Sequence, residues 1–318
     1  MAHMSTGLIP SLNGRSRTRR DAGRAGARAA AARFAPGQAK AGLLLVAPAM
    51  LITTVFFFIP MVLSLWWSFT EYNGIAAPRF VGADNYADLV TDPLFVKSAV
   101  NTGLFALATM TTGPLLGLLS ALLLNRARAL QSLFRAAFFL PVTMSLVVVA
   151  SMWKMLLNEH GVINQLLELM GLHGASWLNN PKTALIAVAV TSVWQGFGFE
   201  TVVFLAALQS VPRELYEAAA VDGAGPWRRF WAVTFPALRP TMLFVFVVGI
   251  IGAFQVFDQV FVMTQGGPVS ATTTVVYFVV KRFEELDLGH ASAAAYLLAM
   301  FLAVASAVQM RIERRNDK

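Results

Sequence analysis

Few residues of this chain have the types and spacing that catalysis needs. It has no cysteine, which excludes disulfides, thiolate-bound zinc, iron–sulfur clusters and a cysteine nucleophile. No GxxxxGKS/T, HExxH or GxSxG occurs, so there is no phosphate-cradling loop, zincin helix or nucleophile elbow. His3, His160, His173 and His290 are scattered and make no metal site. What remains is polar side chains inside apolar runs. These are costly in hydrocarbon, so they face a bundle interior or a water-filled path. Trp194-Gln195-Gly196-Phe197-Gly198-Phe199-Glu200 is one such stretch. Its glycines open space beside aromatics and an acid. Aromatic faces suit the C–H surfaces of a sugar, and Gln or Glu its hydroxyls. Plain helix packing, with Glu200 satisfied by a neighbour, suits the same residues, and both readings stay open. The second stretch is Phe254-Gln255-x-Phe257-Asp258. Asp258 is expected about 27 Å from the inner end of its run, near the outer mouth, with Gln255 a turn deeper and the better ligand.

The elements that carry these residues are membrane spans. The 318 residues are 57% hydrophobic and only 13% charged, with mean hydropathy +0.61. A soluble domain carries about 25% charged residues. Several apolar runs exceed the roughly 20 residues that cross about 30 Å of hydrocarbon. Six spans are expected, at 41–69, 96–124, 136–157, 183–209, 241–264 and 291–310. Pro48 and Pro60 should kink the first, Gly113-Pro114 bend the second and Pro141 bend the third. Between the third and fourth, Val162 to Met170 reads as a weakly amphipathic piece at the membrane surface. The fold class is all-α, a polytopic membrane protein. Residues 41–310 form the transmembrane domain, residues 1–40 a disordered basic tail, and residues 311–318 a short charged tail.

The longest polar interruption in the second half is 211–240. It reads as two short helices around a turn. Pro212 suits a first helical turn, and Arg213 to Val221 favours helix. Gly223 and Gly225 allow positive φ, and Pro226 starts the second piece. Pro236 and Pro240 should close the unit. Its charges can face another protein while Trp227, Phe230 and Trp231 pack on the bundle. A solvated amphipathic loop is the alternative.

Charge sets the topology. Six spans put both termini on one side. Nineteen of the 25 Lys and Arg lie in the N-terminal tail, the 125–135 loop, the 211–240 stretch and the C-terminal tail, and six lie elsewhere. The positive-inside rule therefore makes those segments and both termini cytoplasmic. The net charge of +8 is thus topological: the basic tail enforces orientation, anionic-lipid or nucleic-acid binding being its alternatives, and the expected partners include membrane lipid and no nucleic acid.

Glu217-Ala218-Ala219-x-x-Asp222-Gly223-Ala224, followed by Phe230, Val233 and Pro236, resembles the EAA loop of bacterial ABC importer permeases. Phe235 stands where leucine is commoner. The segment 78–86, PRFVGADNY, resembles the first external loop of sugar permeases. Phe254-x-x-Phe257-Asp258, Thr264-x-Gly266-Gly267-Pro268 and Gln195-Gly196-Phe197 before Leu208-Gln209 are similar to the carbohydrate-uptake branch, which includes maltose, trehalose and glycerol-phosphate permeases. The resemblance runs from about 43 to 309 and implies a permease subunit of the bacterial cytoplasmic membrane. The implied partners are a second permease, two cytoplasmic ATPases that bind ATP and Mg, an external binding protein and a sugar. No cofactor is implied for this chain, which is not an enzyme. The resemblance makes 211–240 the cytoplasmic coupling helix pair, with Glu217 meeting a basic residue of the ATPase. It places the sugar contacts of the maltose permease on Gln195, Gly196, Phe199, Ala253 and Val256. Ala253 and Val256 are apolar where that family is polar, which leaves the sugar open. The competing expectation is an ion-coupled secondary transporter using Glu200 and Asp258 as proton or sodium sites.

Overall fold

The computed structural model describes residues 36–126 and 131–316. The expected disordered tail lies outside the described residues, except that helix has begun by Pro36, inside its expected bounds. The chain divides into a unit of residues 1–63 and one of 64–318.

The first unit holds α1 (Pro36–Thr53), a π-helical turn (Thr54–Phe58) and the start of α2 (Ile59–Trp67). The π turn has a sequence cause. Pro60 has no N–H and would clash with the carbonyl four residues back in a regular helix. The chain inserts one extra residue just before it, so that Ile59 N–H reaches Thr54 O, five residues back. Pro60 is thereby absorbed without breaking the rod.

In the second unit, a short antiparallel hairpin of β1 (Thr70–Glu71) and β2 (Arg79–Phe80) pairs Thr70 with Phe80 and Glu71 with Arg79. Then come α3 (Asp84–Thr91), α4 (Pro93–Arg126), α5 (Gln131–Thr143), α6 (Leu146–Leu156), α7 (Val162–Leu169) and α8 (Ala184–Ser210). The 78–86 motif ties the hairpin down. Asn85, buried, donates to Ser68 O and Thr70 O at 2.9 Å, and Tyr86 OH donates to Ser68 Oγ at 2.7 Å. The remainder is α9 (Arg213–Val221), α10 (Pro226–Arg229), a second π turn (Phe230–Thr234), α11 (Phe235–Phe254), α12 (Asp258–Met263), α13 (Val275–Glu284) and α14 (Leu288–Asn316). Packing is densest along α4 and α8, where Ala121, Leu124, Phe204, Leu205 and Leu208 bury together with Leu238 and Val245 of α11.

Among the described residues, five helices are long and apolar enough to cross a membrane: Gly42–Trp67, Pro93–Asn125, Ala184–Ser210, Pro226–Met263 and Leu288–Arg311. The expected third span is different. It is α5 and α6, bent by 98° at a short break, and the count reaches six only if that pair is one span. The chain leaves helix two residues after Pro141, where Ser145 takes extended backbone at φ −59°, ψ 134°. The Gln195 amide donates to the freed Met144 carbonyl at 3.4 Å.

Three other expectations change. Pro236 and Pro240 do not close the 211–240 unit, because helix runs on from Pro226 to Phe254. The second π turn absorbs Pro236 as the first absorbs Pro60: Phe235 N–H bonds Phe230 O, and Pro236 falls in the first turn of α11, which needs no donor. The fifth span is interrupted at Gln255–Phe257. The charged C-terminal tail continues α14 as far as Asn316.

Candidate functional site

The fourth span, α8, is built to let its neighbours come close. Gly198 faces α5 so tightly that a Cβ there would overlap the Phe138 carbonyl oxygen. Opposite Glu200, α4 presents Gly113 and Gly117, a GxxxG pair. A Cβ on Gly117 would lie 2.6 Å from Glu200 Cβ, and one on Gly113 would lie 2.9 Å from Glu200 Oε2. The sequence reading took Gly113 only as part of a bend with Pro114. The spacing of four was the available signal for this contact surface.

Gln195 and Glu200 are satisfied in part only. Gln195 is 7% exposed; its amide N–H₂ donates to Met144 O, while Oε1 has no protein partner. Glu200 Oε2 is likewise buried without one. Buried polar atoms left unpaired are uncommon and call for a reason. Both residues line a cavity of about 810 Å³ between α4, α8, α11 and the break of the third span. Such a volume suits a small ligand. Seven of the eight expected path residues line it together: Gln195, Gly196, Glu200, Ala253, Gln255, Val256 and Asp258. Phe199, half-buried, is not part of the lining. Asp258 begins the short helix that follows the break in the fifth span, and it lines the same cavity as Gln255. Thr109, Ser192 and Met144 also line it, as do the rings of Phe105, Phe197, Phe246 and Phe257. Phe197 and Phe257 belong to the two stretches singled out from the sequence; Phe105, Thr109, Met144, Ser192 and Phe246 do not, since single residues of these types in apolar runs carry no periodic signal.

Two interrupted helices therefore meet this cavity. The gap at 255–257 is held from outside the cavity, where Thr274 Oγ1 donates to Val256 O at 3.0 Å. The Gly266-Gly267-Pro268 turn is locked by threonines: Thr272 Oγ1 donates to Gly267 O at 2.7 Å, and Thr273 Oγ1 to Gly266 O at 3.1 Å. Asn101 of α4 clamps the same loop through Ser270 O and Thr273 O.

At the end of the bundle that starts α4, Asp92 accepts from Leu94 N at 2.7 Å and Phe95 N at 3.3 Å, and Arg282 Nη2 donates to its other oxygen at 2.6 Å. Burial pushes the Asp92 carboxyl up, but those two backbone N–H groups and Arg282 outweigh it and hold it below its ordinary range. Asp287 behaves likewise: burial raises it, and His290 and Arg282 bring it down.

The 211–240 segment is a separate surface. The motif residues build a Schellman turn: Ala224 N–H bonds Ala219 O at 2.9 Å, Gly223 N–H bonds Ala220 O at 3.1 Å, and Gly223 takes φ +73°. Arg229 Nε donates to Ala224 O at 2.7 Å, and Tyr216 OH meets Thr234 Oγ1 at 3.0 Å, so α9 folds back on the second π turn. Ala224 is buried, while Glu217, Ala218, Asp222 and Pro236 are exposed and Ala219 and Phe230 half-buried. The tryptophans depart from expectation. Trp227 is 73% and Trp231 48% exposed; Trp227 stacks on Phe230 and meets Trp231 edge to face, and Trp231 packs on Phe230 and Phe235, instead of burying in the bundle. Spacings of three and four put these rings on one face of the short helix and π turn. No group of His, Asp and Glu able to hold a metal occurs among the described residues.

A multi-pass helical membrane protein with a cavity among its spans and a short helix pair between two of them is the class these features define. Residues 113–318 match the family described as binding-protein-dependent transport system inner membrane component, and the chain belongs to that family. It is 34% identical over 280 residues to a sulfoquinovosyl glycerol transport system permease protein of Agrobacterium fabrum, covering 86% of this chain and 91% of the relative. It is 31% identical over 283 residues to a trehalose/maltose transport system permease protein of Thermococcus litoralis, covering 88% and 96%. The fold is also that of a chain in a bacterial ABC transporter involved in import of the acidic polysaccharide alginate, with TM-score 0.76, 24% identity and coverage of 88% and 98%. The protein is thus a membrane-embedded permease subunit of an ABC importer and not itself an enzyme.

Proposed function

We propose that this chain forms half of the translocation path of an ATP-driven importer for a sugar or sugar derivative, in the bacterial cytoplasmic membrane. The observation that carries the sugar is the cavity. It joins unpartnered Gln195 Oε1 and Glu200 Oε2 with several phenylalanine rings, the pairing of hydroxyl acceptors and apolar faces that a sugar needs. The permeases for sulfoquinovosyl glycerol and for trehalose and maltose support the same class. Gln195, Gly196, Glu200, Ala253, Gln255, Val256 and Asp258 are the path residues of this reading.

The partners are a second permease, two ATPases that bind ATP and Mg, and an external binding protein. Glu217, Ala218, Ala219, Asp222, Gly223, Ala224, Phe230 and Pro236 form the coupling unit, with both termini and this unit cytoplasmic. ATP binding draws the two coupling units together, and rigid-body rocking of the spans turns the cavity from one side of the membrane to the other. The Schellman turn fixes the angle of α9, so that Glu217 and the exposed rings of Trp227 and Trp231 present one docking surface.

ATP hydrolysis by the reconstituted complex, with binding protein and sugar present or absent, tests this. Glu217→Ala and Gly223→Pro should each lower stimulated hydrolysis at least tenfold, with the membrane subunits still folded. Stimulation and uptake at wild-type rates in both variants would overturn the coupling role. Uptake with no ATPase present would favour an ion-coupled carrier working through Glu200 and Asp258.

A further inference from the structure

At the end of the bundle that starts α4, a chain of charges runs from α13 to α3. Arg282 of α13 lies 2.6 Å from Asp92, 3.5 Å from Glu285 and 3.7 Å from Asp287. Asp287 caps α14: its Oδ1 accepts the His290 backbone N–H at 3.3 Å. The same oxygen lies 2.9 Å from His290 Nδ1. Across the ring, Nε2 lies 3.6 Å from Asp88 Oδ2 of α3. His290 thus stands between carboxylates of two different elements, and its proton count decides what it joins. A carboxylate only accepts, so Nδ1 holds its hydrogen toward Asp287 in the neutral ring and in the charged one. The neutral ring then turns a lone pair on Nε2 toward Asp88, which repels it. The imidazolium turns an N–H and a positive charge toward Asp88, and α3 is tied to the turn between α13 and α14.

We propose that His290 is a proton-operated clasp: protonated, it holds α3 on the α13–α14 turn, and neutral, it lets α3 loosen. Arg282 does not replace it, because three carboxylates already share that guanidinium. On the hairpin side, Glu71 and Arg79 pair with each other. With Tyr72, Asp287 and His290 they line a cleft of about 540 Å³, through which protons of the medium reach the ring. The rest of α3 is seated by Leu89, buried with Phe278, Ala293 and Ala294, so the clasp adds to an apolar anchor. An unperturbed imidazole titrates at about pH 6.5, so the clasp closes as the medium turns mildly acid. The clasp uses neither the cavity nor the cargo. With both termini and the α9–α10 pair cytoplasmic, this end of the bundle faces outward, and the medium it senses is the external one.

The chain has no cysteine, so Leu89→Cys, at a fully buried position of α3, reports each opening of that helix. Intact cells carrying the whole transporter are treated with a membrane-impermeant thiol reagent at about pH 5.5 and about pH 8.5, on either side of the imidazole titration. Labelling is compared with and without His290→Gln at each pH, which cancels the pH dependence of the thiol itself. Exposed ion pairs bias an equilibrium by about two- to fivefold. His290→Gln should therefore label about threefold faster than wild-type His290 in acid and at the same rate in alkali, and Asp88→Asn should do the same. His290→Lys, charged at both pH values, should label slowly at both. Thermal unfolding of the detergent-solubilised complex keeps the test open if Leu89→Cys fails to assemble. The tie needs a protonated ring, so the midpoint gap between wild type and Asp88→Asn should be present in mild acid and close as pH rises, the opposite of a carboxylate acting alone. Equal labelling at both pH values, a ratio that does not change with pH, or a midpoint gap that grows with pH would overturn the proposal. Labelling only after the membrane is opened would overturn the sensing of the external medium. None of these readouts involves ATP or cargo, so each outcome leaves the importer reading to its own test.

Discussion

Three glycines set how closely the helices around Glu200 approach. They differ in what a methyl group would strike. At Gly198 it meets the Phe138 carbonyl oxygen and carbon, which are backbone and cannot yield. At Gly117 it meets Glu200 Cβ at 2.6 Å and the Glu200 carbonyl carbon at 3.2 Å, so the helices must part. At Gly113 it meets only the carboxylate end of Glu200, which can swing aside. Overpacking of a core costs about 1–3 kcal/mol. Thermal unfolding of the detergent-solubilised protein should therefore rank the alanine variants with Gly198 most destabilised, Gly117 next and Gly113 least. An equal loss at all three would mean that these contacts do not hold the helices apart. Much of this was legible from residue types. The Trp194–Glu200 stretch announced itself as polar groups and glycines within an apolar run. Its partner surface did not, because Gly113 stands beside a proline and reads as a bend until its spacing to Gly117 is weighed.

At the scale of elements, single residues decide how helices start, bend and stop. Asp92 and Pro93 begin α4 as a matched pair: the carboxylate caps Leu94 and Phe95, and proline occupies the first helical position, where no N–H is needed. Arg282 then ties that cap to α13. Asp92→Ala should cost about 1 kcal/mol of stability at pH 7 from the cap alone. The folded-state carboxyl titrates below its ordinary value of 3.8, so its stabilisation is present above that pH and lost as pH falls through the lower folded value. Unfolding midpoints of wild type and variant should differ at pH 7 and converge only as pH falls below the lowered folded-state value. A gap that persists in acid would show that the side chain acts by packing and not by charge. Prolines were where sequence reasoning fell short at this scale. Pro60 and Pro236 each read as a kink or a stop, yet each follows a π turn that takes up the missing hydrogen bond and keeps the helix running. A local rule knows that proline removes a donor, but not that a single inserted residue can absorb the loss. The reverse happened at Pro141, where a bend was expected and a break of 98° is found. Its cause includes Gln195, more than fifty positions away in the sequence, which takes the freed Met144 carbonyl.

For the whole molecule that break decides the topology, because membrane sidedness depends on whether α5 and α6 together cross. If they cross, α7 lies on the side opposite both the start of α5 and the α9–α10 helix pair. If they fold back, α7 stays with the start of α5, and α8 carries the helix pair to the other face. Charge favours crossing: Arg126 and Arg128 precede the pair and Arg135 lies in the first turns of α5, while Arg213, Arg228, Arg229 and Arg239 follow α8, so a crossing puts both groups on one side. The chain has no cysteine, so a single one introduced at any position reports alone. Leu169, 84% exposed at the end of α7, and Val221, 89% exposed at the end of α9, are suitable places. A membrane-impermeant thiol reagent applied to intact cells should label Leu169→Cys, and should label Val221→Cys only after the membrane is opened. That result requires the bent pair to span and puts the exposed face of Glu217, Trp227 and Trp231 where an ATPase can reach it. Labelling of Val221→Cys from outside, with Leu169→Cys protected, would make the pair a re-entrant hairpin and move the helix pair away from ATP, and the coupling reading would fall with it.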